Sequence, residues 1–342
     1  MADIAAKTGI SKTAVSLALK GSAMVSEKTR KMVAKTARSM GYVRNELFSS
    51  MMASMKKGEA GAFTETIALV NGNADEFAFT NHPTLPKYCM GIREEAKRLG
   101  YAINEFWLRD KRLTAESFVK VLRSRGIRGG IILGHSSGNA FPESFAPVWR
   151  EFYFVSAGIK TCNPSLEMVS ADHYAIAYRA AMKAVELGFK RPALVIEEHI
   201  DELVEGRFVG GFLRAQLKLS EANRIRPFLE ADTSDGYEKK LSAWLDSNRP
   251  DVVLYLLDST REIISALPRR GRKIPLIQLE RRGFVHDWTG MEQNNDTVGK
   301  VAVRRLADML SRTSARVGEN ADMVILVPPT WLESQSADEK KV

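Results

Sequence analysis

Residues 3–21 of this chain read D-I-A-A-K-T-G-I-S-K-T-A-V-S-L-A-L-K-G, a stretch with two short helix signals separated by a turn. The first predicted helix begins near Asp3 and ends at Gly9, because glycine readily takes the left-handed backbone found at helix termini. Ser11 is placed to cap the second helix, which closes near Gly21.

A third helix follows. Ser26 is placed to cap it, and it should run from about Glu27 to Met40. Apolar side chains one turn apart on the second and third helices should meet in a shared core, namely Val15, Leu19, Val33, Ala37 and Met40. Three short helices with this turn predict a helix-turn-helix, whose second helix can place its first side chains against base edges in the major groove.

The charge of the chain is concentrated in this same region. The net charge is +9, and residues 1–58 hold eleven Lys or Arg against three acids, which leaves +8 there and +1 for the other 284 residues. A solvated basic face or a flexible tail would also be basic, but neither needs the helix pattern. A compact basic segment on a neutral body is typical of a nucleic-acid-binding head.

Other classes of protein fit the sequence poorly. No apolar run approaches the eighteen or so residues of a membrane span, and the first ten residues are too polar for a signal peptide. Cys89 and Cys162 lie far apart and without metal-ligand spacing. We therefore expect a cytoplasmic protein, associated with the nucleoid.

The quoted stretch, together with V-S-E-K-T-R-K-M-V at 25–33 and M-G-Y-V-R-N at 40–45, resembles the headpiece of the lactose-repressor (LacI) family nearly without gaps. The resemblance implies roles for five polar residues. Lys12 and Thr13 take the base-reading positions at the start of the recognition helix, and Ser16, Thr29 and Asn45 take positions that bind phosphates.

Two positions depart from the family pattern. Leu17 stands where most members have an arginine, so it offers a base only apolar contact, for example to a thymine methyl group. Arg44 stands where proline is usual. The operator sequence and the entry to the next segment are therefore expected to differ from those of typical members.

Residues 45–58 resemble the hinge helix and linker of the same family. Met51 falls where the family inserts an apolar wedge between base steps of the minor groove, which kinks the DNA. The alternative is a plain methionine-rich linker, since methionine is a common flexible filler. The expected domains are thus a headpiece at 1–44, a hinge helix and linker at 45–58, and a body at 60–342.

In the body, short apolar strands alternate with amphipathic helices, which predicts doubly wound parallel sheets in two lobes. The first lobe is expected at about 62–160 plus 293–322, and the second at about 161–292 plus 323–336. A ligand cleft should lie at the carboxyl ends of the strands. The body also resembles the periplasmic-binding-protein-like effector domain of the LacI family along nearly its full length.

Effector-binding candidates follow from that resemblance. Arg207 should face the cleft and could clamp a carboxylate or a pair of hydroxyls; the alternative is a surface arginine paired with Glu202 or Glu205. Asp258 could instead cap the helix after it, a role we prefer for that residue. The remaining candidates at the cleft are Glu280, Asp172, Asn295 and His135.

Catalysis is the weaker interpretation. Residues 134–138 fit G-x-S-x-G, but the nucleophile elbow needs a helix directly after the serine, whereas Gly138 and Pro142 favour a loop. The histidines show no metal-ligand spacing, and neither a P-loop nor a G-x-G-x-x-G motif occurs. We expect no cofactor, no metal and no enzymatic activity.

The sequence thus predicts a sequence-specific regulator of transcription, acting as a repressor. It should be a homodimer that binds a double-stranded operator and a small-molecule effector such as a sugar or a related metabolite. The carboxyl terminus lacks the leucine heptads of a tetramer. A regulator controlled by a partner protein and a periplasmic solute-binding protein remain alternatives, although the latter would need a signal peptide.

Overall fold

The computed structural model describes residues 65–134, 138, 140–230, 236–267, 273–281, 289–311 and 323–333, and, among the first 64 residues, positions 5, 7–11, 14, 15, 18 and 25–39. The chain forms two compact units. One comprises Met1–Thr64 with Ser311–Ser314, and the other comprises Glu65–Leu310 with Ala315–Val342.

The first unit has the predicted caps. The N–H of Gly9 donates to the carbonyl of Ala5, and Gly9 is left-handed with φ 69°. The side chain of Ser11 accepts from the N–H of Ala14 at 3.1 Å, and Ser26 caps helix α1 (Glu27–Ser39) by accepting from the N–H of Thr29 at 3.3 Å. The two predicted serine caps are therefore confirmed.

A small core holds this unit together. Its buried members among the described residues are Ala5, Val15, Ala18 and Val33, with Ile10 and Val25 packed against them. Burial of Val15 and Val33 was predicted from helix periodicity. Leu19 and Met40 lie outside the described residues, and nothing is described of the Ala37 side chain.

The first sheet of the body has the strand order β2-β1-β3-β4-β5-β11, and all of its pairs are parallel. Its strands are β1 (Glu65–Asn71), β2 (Tyr101–Trp107), β3 (Gly129–Leu133), β4 (Tyr153–Ala157), β5 (Glu167–Ala171) and β11 (Val324–Val327). The helices between β1 and β4 are α2 (Ala78–Asn81), α3 (Leu85–Leu99), α4 (Ala115–Ser124) and α5 (Ala146–Glu151).

The second sheet has the order β7-β6-β8-β9-β10-β12, and only β12 is antiparallel to its neighbour. Its strands are β6 (Pro192–Glu197), β7 (Phe228–Glu230), β8 (Val252–Tyr255), β9 (Leu276–Gln278), β10 (Gly290–Glu292) and β12 (Thr330–Leu332). The helices between β5 and β9 are α6 (His173–Glu186), α7 (Glu198–Leu203), α8 (Arg207–Gln216), α9 (Tyr237–Asn248) and α10 (Asp258–Ala266), and α11 (Asn295–Ser311) follows β10.

Each sheet has its own core. In the first lobe, aromatic side chains pack between the sheet and the helices, with Phe118, Phe145 and Trp149 among the buried members. In the second lobe, the rings of Phe228 and Tyr237 pack edge to face within a separate cluster, with their centroids 5.7 Å apart. Strands such as β3 and β8 are buried at every position, as expected for parallel sheets covered on both faces. The predicted fold class is confirmed.

The predicted lobe boundaries need correction. The sequence placed residues of about 161–292 and 323–336 in the second lobe. Strands β5 and β11 fall within those ranges, yet both lie in the first sheet. A buried charge explains why the sequence pattern did not reveal β5. Glu167 begins this strand and forms a bidentate ion pair with Arg305 of α11, so the strand lacks the all-apolar signature.

Helix α11 packs against the first lobe through closely approaching backbones. A Cβ atom at Gly299 would lie 2.4 Å from the carbonyl oxygen of Tyr88, and one at Gly91 would lie 1.9 Å from that of Asp296. Only glycine therefore fits at these two positions of α11 and α3. Among the described residues, no helix is both long enough and apolar enough to cross a membrane.

Candidate functional site

Thr29 is the one predicted DNA-binding residue that the structure describes. It lies in the first turn of α1, and its hydroxyl is 2.8 Å from that of Ser26. The positive end of a helix dipole suits a phosphate contact there. The other DNA-binding candidates lie outside the described residues, namely Lys12, Thr13, Ser16, Leu17, Asn45 and Met51.

Arg207 is the first residue of α8, and a buried carboxylate holds that helix end in place. Asp201 Oδ1 accepts from the N–H groups of Phe208 at 3.0 Å and Val209 at 3.3 Å. Burial raises the pKa of Asp201, and the two backbone hydrogen bonds act against that rise. Sequence reasoning missed this cap, although the glycine at the N-cap position, Gly206, signalled that another group must satisfy the helix end.

Residues 198–216 form two helices and not one. Glu205 and Gly206 separate α7 from α8, and both are left-handed, with φ 59° and φ 71°. A left-handed pair cannot continue a right-handed helix. The break turns the chain so that α8 begins at Arg207.

Arg207 lines a pocket at the junction of the two lobes. The pocket is partly open to solvent. Its residues come from the loop after β4 and from β5 and β11 of the first lobe, and from α6, α7, the turn between α7 and α8, and α8 of the second. Its lining consists of Gly158, Ile159, Lys160, Met168, Ser170, His173, Leu203, Val204, Glu205, Arg207 and Leu326.

Both interpretations of Arg207 have support. The guanidinium lies 3.6 Å from Glu205, as in the surface-pair alternative, yet the side chain also lines the pocket. Glu205 in turn lies 3.7 Å from the ammonium group of Lys160, which belongs to the first lobe. One carboxylate is therefore shared by two cations from opposite lobes.

His173 is buried beside this group. Its ring lies 4.9 Å from that of Phe208, and burial together with the charge of Arg207 lowers its pKa to about 3. The imidazole is therefore neutral at physiological pH. Sequence reasoning considered His173 only as a metal ligand; its position directly after Asp172, at a helix start facing the cleft, was the available signal.

Asp172 is occupied by a structural contact. Its Oδ1 accepts from the N–H of Ala175 at 3.0 Å and thereby caps α6. A role for Asp172 in effector binding stays a prediction.

Glu280 and Asn295 lie together beyond the carboxyl end of β9. Both are buried, and the Asn295 amide donates to the Glu280 carboxylate at 3.2 Å. Nearby, Gln278 at the end of β9 donates to Asp258 of α10 at 3.0 Å. The structure thus brings Glu280 and Asn295 together as the cleft prediction requires, while their contact with an effector stays a prediction.

The preferred role of Asp258 as a helix cap is wrong. Asp258 is already the first helical residue of α10, Leu257 occupies the N-cap position, and no side chain caps that end. The Asp258 carboxylate is engaged by Gln278 instead.

The catalytic motif at 134–138 lacks its structural context. Gly138 has φ 129°, and residues 140–142 form an isolated bridge and an irregular stretch with no helix. The elbow geometry requires a helix there. His135 lies outside the described residues. Within the described part of the chain, no group of three or more His, Cys, Asp or Glu could hold a metal ion.

Comparisons with known proteins match both units. The model of the family described as "Bacterial regulatory proteins, lacI family" matches residues 1–45. The model of the family described as "Periplasmic binding proteins and sugar binding domain of LacI family" matches residues 75–274.

A curated relative is the HTH-type transcriptional regulator MalR of Streptococcus pneumoniae, 24% identical over 193 residues, which are 56% of this chain and 55% of MalR. The match therefore spans about half the length of the curated relatives.

Two solved structures share the fold. A "transcriptional regulator CelR-cellobiose complex" is 18% identical with a TM-score of 0.58, covering 97% of this chain and 98% of that one. The lac repressor dimer bound to operator and the anti-inducer ONPF is 17% identical with a TM-score of 0.56, covering 97% of this chain and 96% of that one.

Proposed function

The chain belongs to the LacI family of bacterial regulatory proteins, and on that premise we propose that it is a transcriptional regulator. It binds an operator through the headpiece and hinge, and a small molecule between the two lobes of its body. One observation carries this proposal: a basic, capped, helical headpiece precedes a two-lobed body in a single chain. The same grounds make it a regulator and not an enzyme.

The DNA-binding half rests on charge and on the caps of the first unit. A net +8 on residues 1–58 supplies the sequence-independent attraction to phosphates. Lys12 and Thr13 then read base edges, with Leu17 contributing an apolar contact, while Met51 wedges into the minor groove. Thr29 contacts a phosphate from the first turn of α1, where its backbone N–H is already capped by Ser26.

The effector half rests on the contacts that cross from one lobe to the other. Lys87 of the first lobe donates to Glu292 at 2.8 Å and to the carbonyl of Arg281 at 3.3 Å, both in the second lobe. Lys160 and Glu205 form a second bridge. A ligand that binds one degree of lobe closure better than another shifts the population toward it. The family description and the CelR complex favour a sugar or a related metabolite.

We further propose that the protein is a homodimeric repressor acting in the cytoplasm on nucleoid DNA. The lac repressor structure, a dimer on its operator, supports this assembly. Two headpieces related by a two-fold axis read two half-sites, so the operator should be pseudo-palindromic.

Selection from a random DNA pool with the full-length protein tests the proposal. We expect enrichment of one pseudo-palindromic sequence, and a variant with Lys12→Ala and Thr13→Ala should lose the preference while keeping most of its affinity for random DNA. Met51→Ala should reduce bending of the selected site, measured by fluorescence transfer between labelled ends. A pool without enriched sequences would contradict sequence-specific regulation.

A further inference from the structure

The pocket around Arg207 holds more positive charge than its own carboxylate neutralises. Lys160 and Arg207 face the pocket from opposite lobes, and both form ion pairs with the single carboxylate of Glu205. The fourth ionisable group in the lining, His173, is neutral and contributes no charge. The lining therefore carries a net charge of about +1 at neutral pH.

The two ion pairs leave most of the donors of both cations available. Their distances, 3.7 Å and 3.6 Å, exceed the length of a charge-assisted hydrogen bond, which is about 2.7–2.9 Å. Within the described part of the chain, neither the ammonium group of Lys160 nor the guanidinium group of Arg207 donates a hydrogen bond. A guanidinium has five N–H donors and an ammonium has three. Such groups bind an oxyanion well.

Both cations stand on backbone that is already held in place. The loop before Lys160 is fastened by two serine hydroxyls, since Ser156 donates to the carbonyl of Ile159 at 2.5 Å and Ser170 donates to that of Gly158 at 2.7 Å. On the other lobe, Asp201 fastens the start of α8. A site whose groups are held before the ligand arrives loses less entropy on binding.

Asp201 also determines which groups remain for a ligand. Its carboxylate is buried and occupies the first free N–H groups of α8, so the helix end is not available to an anion. The side chains of Lys160 and Arg207 must therefore supply the contacts. Apolar neighbours, including Met168, Leu203 and Leu326, form the rest of the wall.

We infer that this pocket binds the acidic group of an anionic effector, a phosphate or a carboxylate carried by a small metabolite. The anion lies between Lys160 and Arg207 and displaces Glu205 from both, so that the ligand replaces the bridge between the lobes. This inference rests on the proposed function and narrows the ligand to one that carries a negative charge.

Inorganic phosphate is the first probe, titrated into the full-length protein at constant ionic strength with chloride as the reference anion. Thermal unfolding reports binding, because a ligand of the native state raises the midpoint. Lys160→Met and Arg207→Met should each weaken phosphate about tenfold or more. Glu205→Gln removes the competing carboxylate and should strengthen phosphate binding. Lys183→Met, which removes a lysine paired with Glu186 on α6, is the matched control and should change nothing.

Glucose, gluconate and glucose 6-phosphate form the second arm and separate the two sources of the anion. Gluconate, glucose 6-phosphate or both should stabilise the wild type more than glucose does. Stronger stabilisation by gluconate would identify a carboxylate as the bound group, and stronger stabilisation by glucose 6-phosphate would identify a phosphate. Equal stabilisation by all three overturns the inference. The inference is also overturned if phosphate does not stabilise the protein. It is overturned as well if Lys160→Met and Arg207→Met leave the stabilisation by phosphate unchanged, which is the result expected if phosphate binds only the basic headpiece.

Operator binding by the same preparations separates this inference from the proposed function. If the selected operator is bound but phosphate is not, the anionic site is wrong and the regulator stands. If no DNA sequence is preferred, the proposed function fails whatever the anion result.

Discussion

Lowering the pH from about 7 to about 5 should cost the second lobe about 2 kcal/mol of stability through His173 alone. The folded protein holds this histidine neutral, with a pKa of about 3, whereas its ordinary value is 6.5. In the unfolded chain His173 takes up about 0.7 of a proton over that interval, and in the folded chain almost none. Protons bound only by the unfolded state favour unfolding.

The sign and the size follow from the two pKa values. Because the folded pKa is lowered, the contribution is complete above pH 6.5 and is lost as the pH falls toward about 3. The unfolded state gains about 25-fold in statistical weight between about pH 7 and about pH 5, which is about 2 kcal/mol. At the low-pH end, where both states bind the proton, the full shift of the His173 pKa corresponds to about 5 kcal/mol of stability, at ~1.36 kcal/mol per pKa unit.

Urea unfolding at both pH values, followed by circular dichroism, measures the effect. His173→Gln cannot titrate, so its loss of stability over the interval should be smaller than that of the wild type by about 2 kcal/mol. The comparison is between changes with pH, and the packing cost of the substitution therefore cancels. His199→Gln replaces an exposed histidine on α7 and should behave like the wild type. Equal losses in the wild type and His173→Gln would refute the buried, neutral histidine.

Three further predictions concern the body. Gly299→Ala should destabilise it by about 3 kcal/mol in urea unfolding, because the new Cβ would lie 2.4 Å from the Tyr88 carbonyl oxygen. Arg305→Ala should cost about 3–5 kcal/mol in the same assay, because it leaves Glu167 charged and buried without its partner. Asp201→Ala removes the cap of α8 and should cost about 1–2 kcal/mol, with phosphate affinity in calorimetry weakened several-fold while the circular dichroism spectrum is retained.

The parts of the fold that could be predicted from sequence are those that depend on neighbours along the chain. The caps at Ser11 and Ser26 follow from residue type and the helix pattern after them. The strands β3 and β8 follow from short runs that are buried at every position. In each case the physical cause lies within a few residues, so the sequence pattern contains it.

The parts that could not be predicted depend on partners distant in sequence. Strand β5 is concealed by Glu167, whose charge is tolerated only because Arg305, 138 residues later, neutralises it. The break before α8 depends on Asp201, which accepts from backbone groups seven and eight residues away.

The candidate site shows the same division. Arg207 was predicted from family resemblance, and the structure places it at a pocket. Lys160 and His173 were missed, because their relation to Arg207 exists only after the two lobes have folded. Glu280 and Asn295 were predicted separately, and the structure shows them hydrogen-bonded to each other.

The most direct test of the central claim compares DNA binding by the full-length chain and by a fragment that lacks residues 1–58, over about 50 to about 200 mM salt. The full-length protein should lose about 10³–10⁵-fold in affinity over that range, because about 6–10 phosphate contacts release counterions. The fragment should remain folded by circular dichroism and bind no DNA in gel-shift titration, since its net charge is only about +1. DNA binding that survives in the fragment, or an affinity of the full-length protein that is insensitive to salt, would contradict the account.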